Sequence, residues 1–563
     1  RAVPVPFDVV LGETCERRAA AFRIADARIE SEGARRSPDL SAFRRRLAAA
    51  SPPRTSGSDR RWLFVPYDQL TDAVGPLATE PPERLGIVLV ETTWKPRQRA
   101  YHKQKLAMVL ASLRHFALEQ AARGVAIDHR VGEQSYGALL REVVRERGPL
   151  RMMKAAEYEL RTDLAGLVAE GGIDVLPNET WLTTRAQFDA TFPDGPPWRM
   201  DRFYRRVRRD SGILMEAGKP VGGRLSFDAE NRRPWRGEPP APTPPTLPVD
   251  DVKQEVARLV EERFAEHPGR LDVASLPSSR EDAERLWRWA LEECLPAFGP
   301  YEDAMSTASR GLFHTRASAL LNNGRLLPRR VIDDVLARDL PLPSQEGFVR
   351  QVLGWRELVR HVHEQTDGFR TLAPSGRPNH LEARDPLPPA FWGEPSGLHC
   401  LDHVVSDVWE TGYGHHITRL MVLSNLATLL GVDPEALSDW FWIAYVDAYD
   451  WVVEPNVLGM GTYALGDLFV TKPYVSGAAY IHRMSDYCDG CAFDPKSSCP
   501  ITPLYWDFLA RHRDRLAGNP RLAMPLRSLE RRSAARRKDD SETARWIRER
   551  LQAGEVARPE DRP

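Results

Sequence analysis

The chain has 563 residues, with 78 Lys and Arg against 79 Asp and Glu, 42% hydrophobic residues, 46 prolines and 6 cysteines. This composition indicates a soluble globular protein of two or more domains and excludes collagen, coiled coil and wholesale disorder. A net charge of −1 excludes a histone-like binding mode, so any nucleic-acid site must be local. No apolar run approaches the roughly 20 residues needed to cross a bilayer, and no signal-peptide pattern opens the sequence, so we expect a cytoplasmic protein without a membrane partner.

Residues 1–60 hold many arginines and end in a Ser/Pro/Gly stretch, which predicts a poorly ordered N-terminal extension. From Trp62 onward, short apolar runs alternate with helical periods, a pattern that indicates a parallel α/β domain over residues 61–200. Neither GxGxxG after the first strand nor GxxxxGK followed by Ser or Thr is present. This domain therefore lacks the usual phosphate-binding loops.

An Arg-rich loop and a Pro-rich interdomain linker are expected over residues 201–250, because residues 234–248 contain seven prolines. Beyond the linker, strand patterns almost vanish and helical periods follow one another, which predicts a nearly all-helical domain over residues 251–530. The charged residues 531–563 are expected to form a tail that frays.

One helix boundary is well marked in the sequence. Gly431 fits the stop of one helix, and Asp433 followed by Pro434 fits the N-cap and the first position of the next. We therefore expect one helix to end and another to begin at this point.

Four of the six cysteines lie in the last third of the chain. Cys488, Cys491 and Cys499 follow a C-x2-C-x7-C spacing, and Cys400 is available as a fourth ligand. One loop can present several thiolates to a single centre, so a structural zinc or a [4Fe–4S] cluster fits this grouping. Free buried thiols are the alternative.

The segment from Trp392 to Tyr480 is dense in aromatic and polar residues, including Trp440, Asp447 and Asn456. Tryptophans on adjacent helices can relay electrons to a buried redox cofactor, and carboxylates beside an amide can hydrogen-bond a flavin ring. The alternative is a well-packed helical core, which composition alone favours.

Two further motifs leave a functional and a structural interpretation open. His415 and His416 sit at a helix start, where a histidine could act as a general acid or simply pack. The window 199–209 holds six arginines and Tyr204, which suits phosphate binding and base stacking, or else a solvated helix face.

Longer signatures occur in order from about Trp62 to about Leu522. They are Tyr67-Asp68-Gln69-Leu70, His102-Lys103-x-Lys105, Arg114-His115-Phe116, Phe227-Asp228-Ala229-Glu230-Asn231-Arg232, Gly354-Trp355-Arg356-Glu357, Tyr413-x-His415-His416-Ile417-x-Arg419-Leu420-Met421, Pro455-Asn456-Val457-x-Gly459-Met460, Thr471-Lys472-Pro473-Tyr474 and Arg483-Met484-Ser485-Asp486-Tyr487-Cys488. Together they resemble the bacterial iron–sulfur cryptochrome/photolyase family, also known as the prokaryotic (6-4) photolyases.

The resemblance implies the photolyase/cryptochrome fold, with an N-terminal parallel-sheet α/β antenna-type domain and a C-terminal helical domain that binds FAD. It also implies a [4Fe–4S] cluster rather than zinc on the four cysteines. Such a protein is expected to act as a monomer on single- or double-stranded UV-damaged DNA. Blue light absorbed by reduced FAD would drive one electron into a flipped-out pyrimidine lesion, which is poorly stacked and therefore easier to extrude than a normal base.

The resemblance also implies roles for individual residues. The flavin phosphate and ribose region matches His314, Thr315, Ser318 and Asn322, and the ring region matches Asp447 and Asn456. The lesion pocket matches His416 as proton donor, with His415, Met460 and Tyr474. The photoreduction relay matches Trp440 and Trp392, the cluster matches Cys400, Cys488, Cys491 and Cys499, and DNA phosphates are expected at Arg205, Arg206, Arg208 and Arg209.

The sequence departs from the family pattern in four places. Val453 replaces a carboxylate expected near flavin N5, and Phe441 replaces a relay tyrosine that could deprotonate. Lys95 stands where the family's ribityllumazine antenna meets a glutamate, and this charge reversal argues against antenna binding. Gly222-Gly223 stands in a loop expected to face DNA.

Three functions follow from these observations. The leading hypothesis is a DNA photolyase of (6-4) type, since the histidine pair, Met460 and Tyr474 are retained. The second is a cryptochrome-like light or redox photoreceptor without repair activity, which Val453 and Phe441 favour. The third is a zinc-stabilised, nucleic-acid-binding helical protein without flavin.

Overall fold

The five apolar runs of the N-terminal domain form one parallel sheet in the computed structural model, which describes residues 40–50, 60–373 and 376–563. Its strands pair in the order β3-β2-β1-β4-β5, with Leu63 beside Ile87 and Arg151, so β1 lies at the centre. The strands are β1 Arg61–Phe64, β2 Leu85–Thr92, β3 Ala126–Gly132, β4 Leu150–Met153 and β5 Ile173–Leu176. This arrangement confirms the predicted α/β class, because parallel neighbours need helical crossovers that cover both faces.

Among the described residues, eight helices belong to the N-terminal domain and to the segment that follows its last strand. They are α1 Ser41–Ala50, α2 Pro76–Thr79, α3 Trp94–Gln98, α4 Lys103–Ala122, α5 Tyr136–Arg147, α6 Tyr158–Ala169, α7 Arg185–Thr191 and α8 Met200–Ser211. A short antiparallel hairpin follows, formed by β6 Met215–Glu216 and β7 Lys219–Pro220. Residues 234–248 contain no helix or strand, as their prolines predict.

The remainder of the chain is helical, which confirms the second half of the fold prediction. Its helices are α9 Asp251–Arg263, α10 Arg280–Trp289, α11 Leu295–Tyr301, α12 Ser318–Asn322, α13 Pro328–Leu336, α14 Leu342–Val349, α15 Glu357–Gln365, α16 His399–Thr411, α17 Asn425–Leu430, α18 Pro434–Ala444, α19 Asp450–Glu454, α20 Ala478–Met484, α21 Ile501–Arg511, α22 Arg513–Leu516, α23 Ala523–Arg531 and α24 Ala534–Gln552. In the described part of the chain, no helix combines the length and apolar character that a membrane span requires.

Four π-helical segments interrupt these helices, and three of them carry candidate site residues. The segments are Ala290–Cys294, Arg350–Arg356, Thr418–Ser424 and Pro455–Gly461. An extra residue in a helical turn redirects the side chains that follow, and such turns are frequent at functional sites.

The helix boundary near residue 431 is confirmed. Gly431 adopts a left-handed conformation with φ of 83°, which closes α17. The Asp433 carboxylate accepts hydrogen bonds from the backbone N–H groups of Glu435 and Ala436, and so caps α18 at Pro434.

The prediction of a fraying C-terminal tail is wrong. Helix α24 packs against α21 and buries Ala544, Ile547 and Leu551 completely or nearly so. Arg532 and Asp540 form a two-bond ion pair at 2.7 and 2.7 Å. These apolar side chains are three and four residues apart, which places them on one helix face that the charge-rich composition conceals.

The prediction of a poorly ordered N-terminal extension is wrong for residues 40–50, and residues 1–39 and 51–59 lie outside the described residues. Helix α1 places Phe43 fully inside the core. The Glu255 carboxylate accepts a hydrogen bond from the Ala42 N–H at 2.7 Å, so a buried acidic group of α9 holds the start of this helix. The domain limits inferred from sequence otherwise stay predictions.

Candidate functional site

Asp447 forms the centre of a buried polar cluster in the helical domain. Its carboxylate accepts two hydrogen bonds from Arg419, both at 3.0 Å, and one from the Ser318 hydroxyl at 2.6 Å. Its backbone carbonyl accepts a bond from the Asn322 amide at 2.9 Å. Burial opposes ionisation of Asp447, but the charge and hydrogen bonds of Arg419 outweigh it and lower the carboxyl pKa. The structure thus brings Ser318, Asn322 and Asp447 together.

Polar atoms without partners surround this cluster. Tyr445 Oη and His415 Nδ1 are buried and have no hydrogen-bond partner among the described residues, whereas Arg356 Nη1 lies 3.6 Å from the Glu357 carboxylate. Arg419 lies 3.9 Å from the Tyr445 ring centroid, and Arg356 Nε lies 3.4 Å from the Asn322 side-chain oxygen, so these atoms border the Asp447 cluster.

Burial also lowers the pKa of Arg356 to about 10. An unpaired buried polar atom costs roughly 1–3 kcal/mol, and this donor and acceptor set fits a polar heterocyclic group such as a flavin.

Three histidines form a second cluster beside the first. The rings of His314 and His415 stack at 4.4 Å with an interplanar angle of 12°, and His416 meets His314 edge-on at 5.3 Å. Burial lowers the pKa of His314 and of His415 well below the ordinary value, so both are neutral at pH 7. The His416 side chain is 42% exposed, and its Nε2 lies 3.8 Å from the Asp303 carboxylate. His416 is therefore the member that solvent and a carboxylate both reach.

The histidine cluster suits proton handling more than metal binding. One nitrogen from each ring lies within 4.8 Å of the other two. However, the rings of His314 and His415 are stacked in nearly parallel planes, so their in-plane lone pairs are poorly placed to share one ion. His314 also hydrogen-bonds the Glu302 carbonyl at 3.1 Å. Its assignment to the flavin phosphate and ribose region stays a prediction.

The other residues matched to the flavin and lesion pockets are more dispersed. Thr315 is half-buried and lies within a local turn. The Asn456 amide donates to the Val452 carbonyl of its own helix at 2.7 Å. Met460 packs on the core from the same π-helical segment. Among the described residues, the Tyr474 ring makes no ring contact with the histidine cluster.

Trp392 and Trp440 belong to one stack of aromatic rings, and the ring between them is Trp409. Trp392 stacks on Trp409 at 5.6 Å, and Trp409 meets Trp440 edge-on at 5.8 Å. Sequence patterns miss Trp409, since its helix, α16, gives no sign of packing on α18.

The four predicted cluster ligands lie at the start of α16 and in the loop before α21. Burial and the nearby thiols of Cys499, Cys491 and Cys488 raise the pKa of Cys400 well above its ordinary value. His399, beside Cys400, hydrogen-bonds the Tyr487 carbonyl at 2.7 Å and so fixes the Cys488 loop to α16.

The thiols do not form a compact group in the structure. Within the described chain, no three of these sulfur atoms lie within 4.8 Å of one another. The iron–sulfur cluster therefore stays a prediction.

Helix α8 exposes only part of the arginine set predicted to bind DNA. Arg205, Arg206 and Arg209 are exposed, and Arg206 pairs with Asp210 at 3.0 Å. The prediction for Arg208 is wrong. It is fully buried and donates to three backbone carbonyls, those of Ile213, Leu214 and Leu225.

Two of the residues that depart from the family pattern, Val453 and Phe441, are packed in the core. Glu454, next to Val453, is also buried and accepts bonds from His363, Arg370 and Arg377. Burial opposes its ionisation, but these partners lower its pKa to about 2. Phe441 stacks on Tyr445 at 5.3 Å.

A cavity of about 110 Å³ opens at the carboxyl ends of β2 and β3, where the resemblance places the antenna. Its wall includes Tyr67, Lys95, Glu157 and Tyr449. Lys95 Nζ lies 2.5 Å from the Glu157 carboxylate and 2.7 Å from the Tyr67 hydroxyl, which itself donates to Glu157. These groups satisfy one another within the wall of the cavity, and antenna binding stays a prediction that Lys95 argues against.

Comparisons with known proteins agree with this architecture. Residues 63–275 match the family described as deoxyribodipyrimidine photo-lyase-related protein. A (6-4) photolyase of Agrobacterium fabrum is 34% identical over 498 residues, which span 85% of this chain and 97% of that protein.

Two solved structures share the fold. A bacterial class III photolyase from Agrobacterium tumefaciens has a TM-score of 0.52 at 16% identity, covering 90% of this chain and 98% of that one. A cryptochrome of Synechocystis has a TM-score of 0.54 at 14% identity, covering 88% and 100%. At such identities the likeness concerns the fold alone.

Proposed function

Because the chain belongs to the prokaryotic (6-4) photolyase branch of the photolyase/cryptochrome family, we propose that it is a blue-light-driven flavoprotein that repairs (6-4) lesions in UV-damaged DNA. The observation that carries this proposal is the adjacency of two clusters. Arg419, which holds Asp447, also hydrogen-bonds the backbone carbonyls of Gly414 and His415, so the proposed flavin site and the histidine cluster share one helical segment.

The Asp447 cluster would hold FAD. Asp447, Ser318 and Asn322 supply a charge and fixed hydrogen-bonding groups, while the Tyr445 hydroxyl offers an unpartnered polar atom. Bound FAD would supply light absorption and one electron for the lesion. The protein's contribution is a set of polar groups that are held in place before the ligand arrives.

The histidine cluster would hold the flipped lesion. His314 and His415 present neutral rings, and His416 donates a proton from Nε2. The Asp303 carboxylate, 3.8 Å away, faces this nitrogen and orients the ring. A base that is already unstacked by damage costs less to flip than a normal one, which favours damaged DNA.

A cationic rim supports DNA binding. Partial desolvation and the charges of Arg521 and Arg232 lower the pKa of Lys472, so these cations lie close together. Arg205 and Arg209 are exposed on α8. Phosphate contacts of this kind supply affinity without sequence preference.

The four cysteines would hold a [4Fe–4S] cluster. The hydrogen bond from His399 to the Tyr487 carbonyl fixes the Cys488 loop beside Cys400, which supports a shared site for the thiols of both elements.

A photoreceptor without repair activity is the second candidate, and Val453 and Phe441 favour it. Purified, iron-replete protein should be mixed with a (6-4)-containing oligonucleotide and reductant, and the restored pyrimidines quantified after blue light and after darkness. Repair in light alone supports the enzyme. No repair by a protein that carries FAD and iron contradicts it and favours the photoreceptor.

A further inference from the structure

The sequence signature at residues 227–232 is linked to the histidine cluster by hydrogen bonds. It contains a 3-10 turn, Asp228–Glu230, which is followed directly by Asn231. Asn231 is 1% exposed, and its side-chain amide donates to the Glu302 carboxylate at 2.6 Å. The backbone carbonyl of Asn231 accepts a hydrogen bond from the Asp303 N–H at 3.3 Å. One buried residue therefore holds both members of the dipeptide formed by Glu302 and Asp303.

Both members of this dipeptide face histidines of the cluster. The backbone carbonyl of Glu302 lies 3.1 Å from His314 Nε2, and the Asp303 carboxylate lies 3.8 Å from His416 Nε2. A carbonyl oxygen can only accept, so Nε2 of His314 carries the hydrogen. Burial lowers the pKa of His314 well below its ordinary value, so the ring is neutral and its Nδ1 is an acceptor. The position of the Glu302 carbonyl thus sets the tautomer of His314.

The side chain of Glu302 is held by groups from two elements. Its carboxylate accepts hydrogen bonds of 2.6 Å from the amides of both Asn231 and Gln351, and it lies 3.4 Å from the Arg350 guanidinium. Gln351 and Arg350 belong to one π-helical segment, whereas Asn231 approaches from the turn before the Pro-rich linker. Asn231 also bonds the backbone N–H of Asp303, and so ties the side chain of the dipeptide to its main chain.

The bond between Asn231 and Glu302 is not a general packing contact. The Asn231 side-chain oxygen is buried and has no hydrogen-bond partner in the described part of the chain, which lowers stability. Gly347 of α14 leaves the space that the bond occupies, since a Cβ there would lie 2.9 Å from the Asn231 amide nitrogen and 3.1 Å from the Glu302 carboxylate. Alanine would favour the helix at this position, so the bond, and not the backbone, explains the glycine.

We infer that Asn231 is a positioning residue for the lesion pocket. Through Glu302 and Asp303 it fixes the tautomer of His314 and the orientation of His416. This inference rests on the proposed repair function of the histidine cluster. Loss of Asn231 should lower the repair rate at saturating DNA far more than the affinity for DNA, because small displacements of groups at a reacting centre cost up to about 100-fold in rate.

The first test compares light-driven repair by full-length, FAD-loaded variants. Asn231→Ala removes the bond, and Gly347→Ala displaces it without removing a polar group. Each should lower the repair rate at a saturating (6-4)-containing oligonucleotide by about 10- to 100-fold, with FAD content and Kd for DNA unchanged. Asn379→Ala is the matched control, because the Asn379 side chain makes bonds of 2.7 and 3.2 Å to Ala383 within its own loop. It should repair DNA at the wild-type rate.

An exchange of the two side chains separates positioning from packing. Asn231→Asp places two carboxyl groups in contact and should impair repair at least as much as Asn231→Ala. Asn231→Asp combined with Glu302→Gln restores one donor opposite one acceptor, while the new amide oxygen still accepts from Gln351. This double variant should recover most of the repair rate. A double variant no faster than Asn231→Asp would overturn the inference.

Nitrogen-15 NMR of labelled histidines reads the tautomer of His314 in FAD-loaded protein without DNA. The His314 signals are assigned by their loss in His314→Gln. The wild type should show the Nε2–H form alone, whereas Asn231→Ala should show both tautomers. An unchanged tautomer with an unchanged repair rate in Asn231→Ala and Gly347→Ala overturns the inference and leaves the repair proposal standing. A changed tautomer in Asn231→Ala with no repair by the wild type overturns the proposed function and supports the positioning of His314.

Discussion

The buried ion pair between Asp447 and Arg419 gives the sharpest energetic prediction. Asp447→Asn keeps the side-chain shape but removes the charge that faces Arg419. The side chains of Asp447 and Arg419 are 8% and 23% exposed, so the remaining guanidinium charge is poorly solvated. Loss of one member of a buried pair costs about 3–5 kcal/mol, and the partial exposure of Arg419 puts the expected loss near 3 kcal/mol.

A matched control isolates the charge from the hydrogen bonding. Ser318→Ala removes the 2.6 Å bond to Asp447 but leaves the ion pair, and should cost about 1 kcal/mol. The double variant Asp447→Asn with Arg419→Gln removes both charges and should recover part of the loss. FAD retention after gel filtration should fall in both single variants, and further in Asp447→Asn than in Ser318→Ala.

Guanidinium unfolding, followed by circular dichroism and by tryptophan fluorescence, measures these differences. The pKa of Asp447 is lowered by folding, so the pair contributes its stability above the ordinary carboxyl value of 3.8 and loses it as pH falls through the lower folded value. The gap between wild type and Asp447→Asn should therefore close in acid. An Asp447→Asn protein as stable as Ser318→Ala at pH 7 would refute this reasoning.

Three further predictions concern other sites. Cys488→Ser should remove the visible absorbance of the iron–sulfur cluster and destabilise α20 and α21; a fully stable variant with normal iron content would contradict cysteine ligation. Arg209→Ala should weaken DNA binding and reduce the salt dependence of affinity by about one charge. Arg208→Ala should instead lower the free energy of unfolding by about 2 kcal/mol or more. An equal loss of DNA affinity in the two variants would contradict the difference in burial. Burial and the Glu157 charge raise the pKa of Asp68 to about 7, so stability should fall as pH rises from 3.8 to about 7, and Asp68→Asn should abolish this fall in unfolding experiments.

Local patterns predict much of the fold because their causes are local. The apolar runs that form β1 to β5, the left-handed Gly431 and the Asp433 cap each depend on a few neighbouring residues. The charged composition of residues 531–563 wrongly predicts a fraying tail, whereas the spacing of Ala544, Ile547 and Leu551 indicates an amphipathic helix.

The remaining features of the fold and of the candidate site depend on tertiary contacts between helices, which a single sequence does not reveal. The inward position of Arg208 follows from the rotation of α8, which Phe203, Tyr204 and Val207 indicate by their spacing. By contrast, Trp409 meets Trp440 only because α16 packs across α18. No sequence pattern within either helix predicts this contact.

The central claim is that His416 supplies the proton for light-driven (6-4) repair. The most direct measurement is the repair of a (6-4)-containing oligonucleotide under blue light by wild type, His416→Ala and Asp303→Asn, with equal FAD content confirmed by absorbance. The account predicts repair by the wild type, none by His416→Ala, and a weaker rate with a shifted pH profile for Asp303→Asn. Unchanged repair by His416→Ala would contradict it.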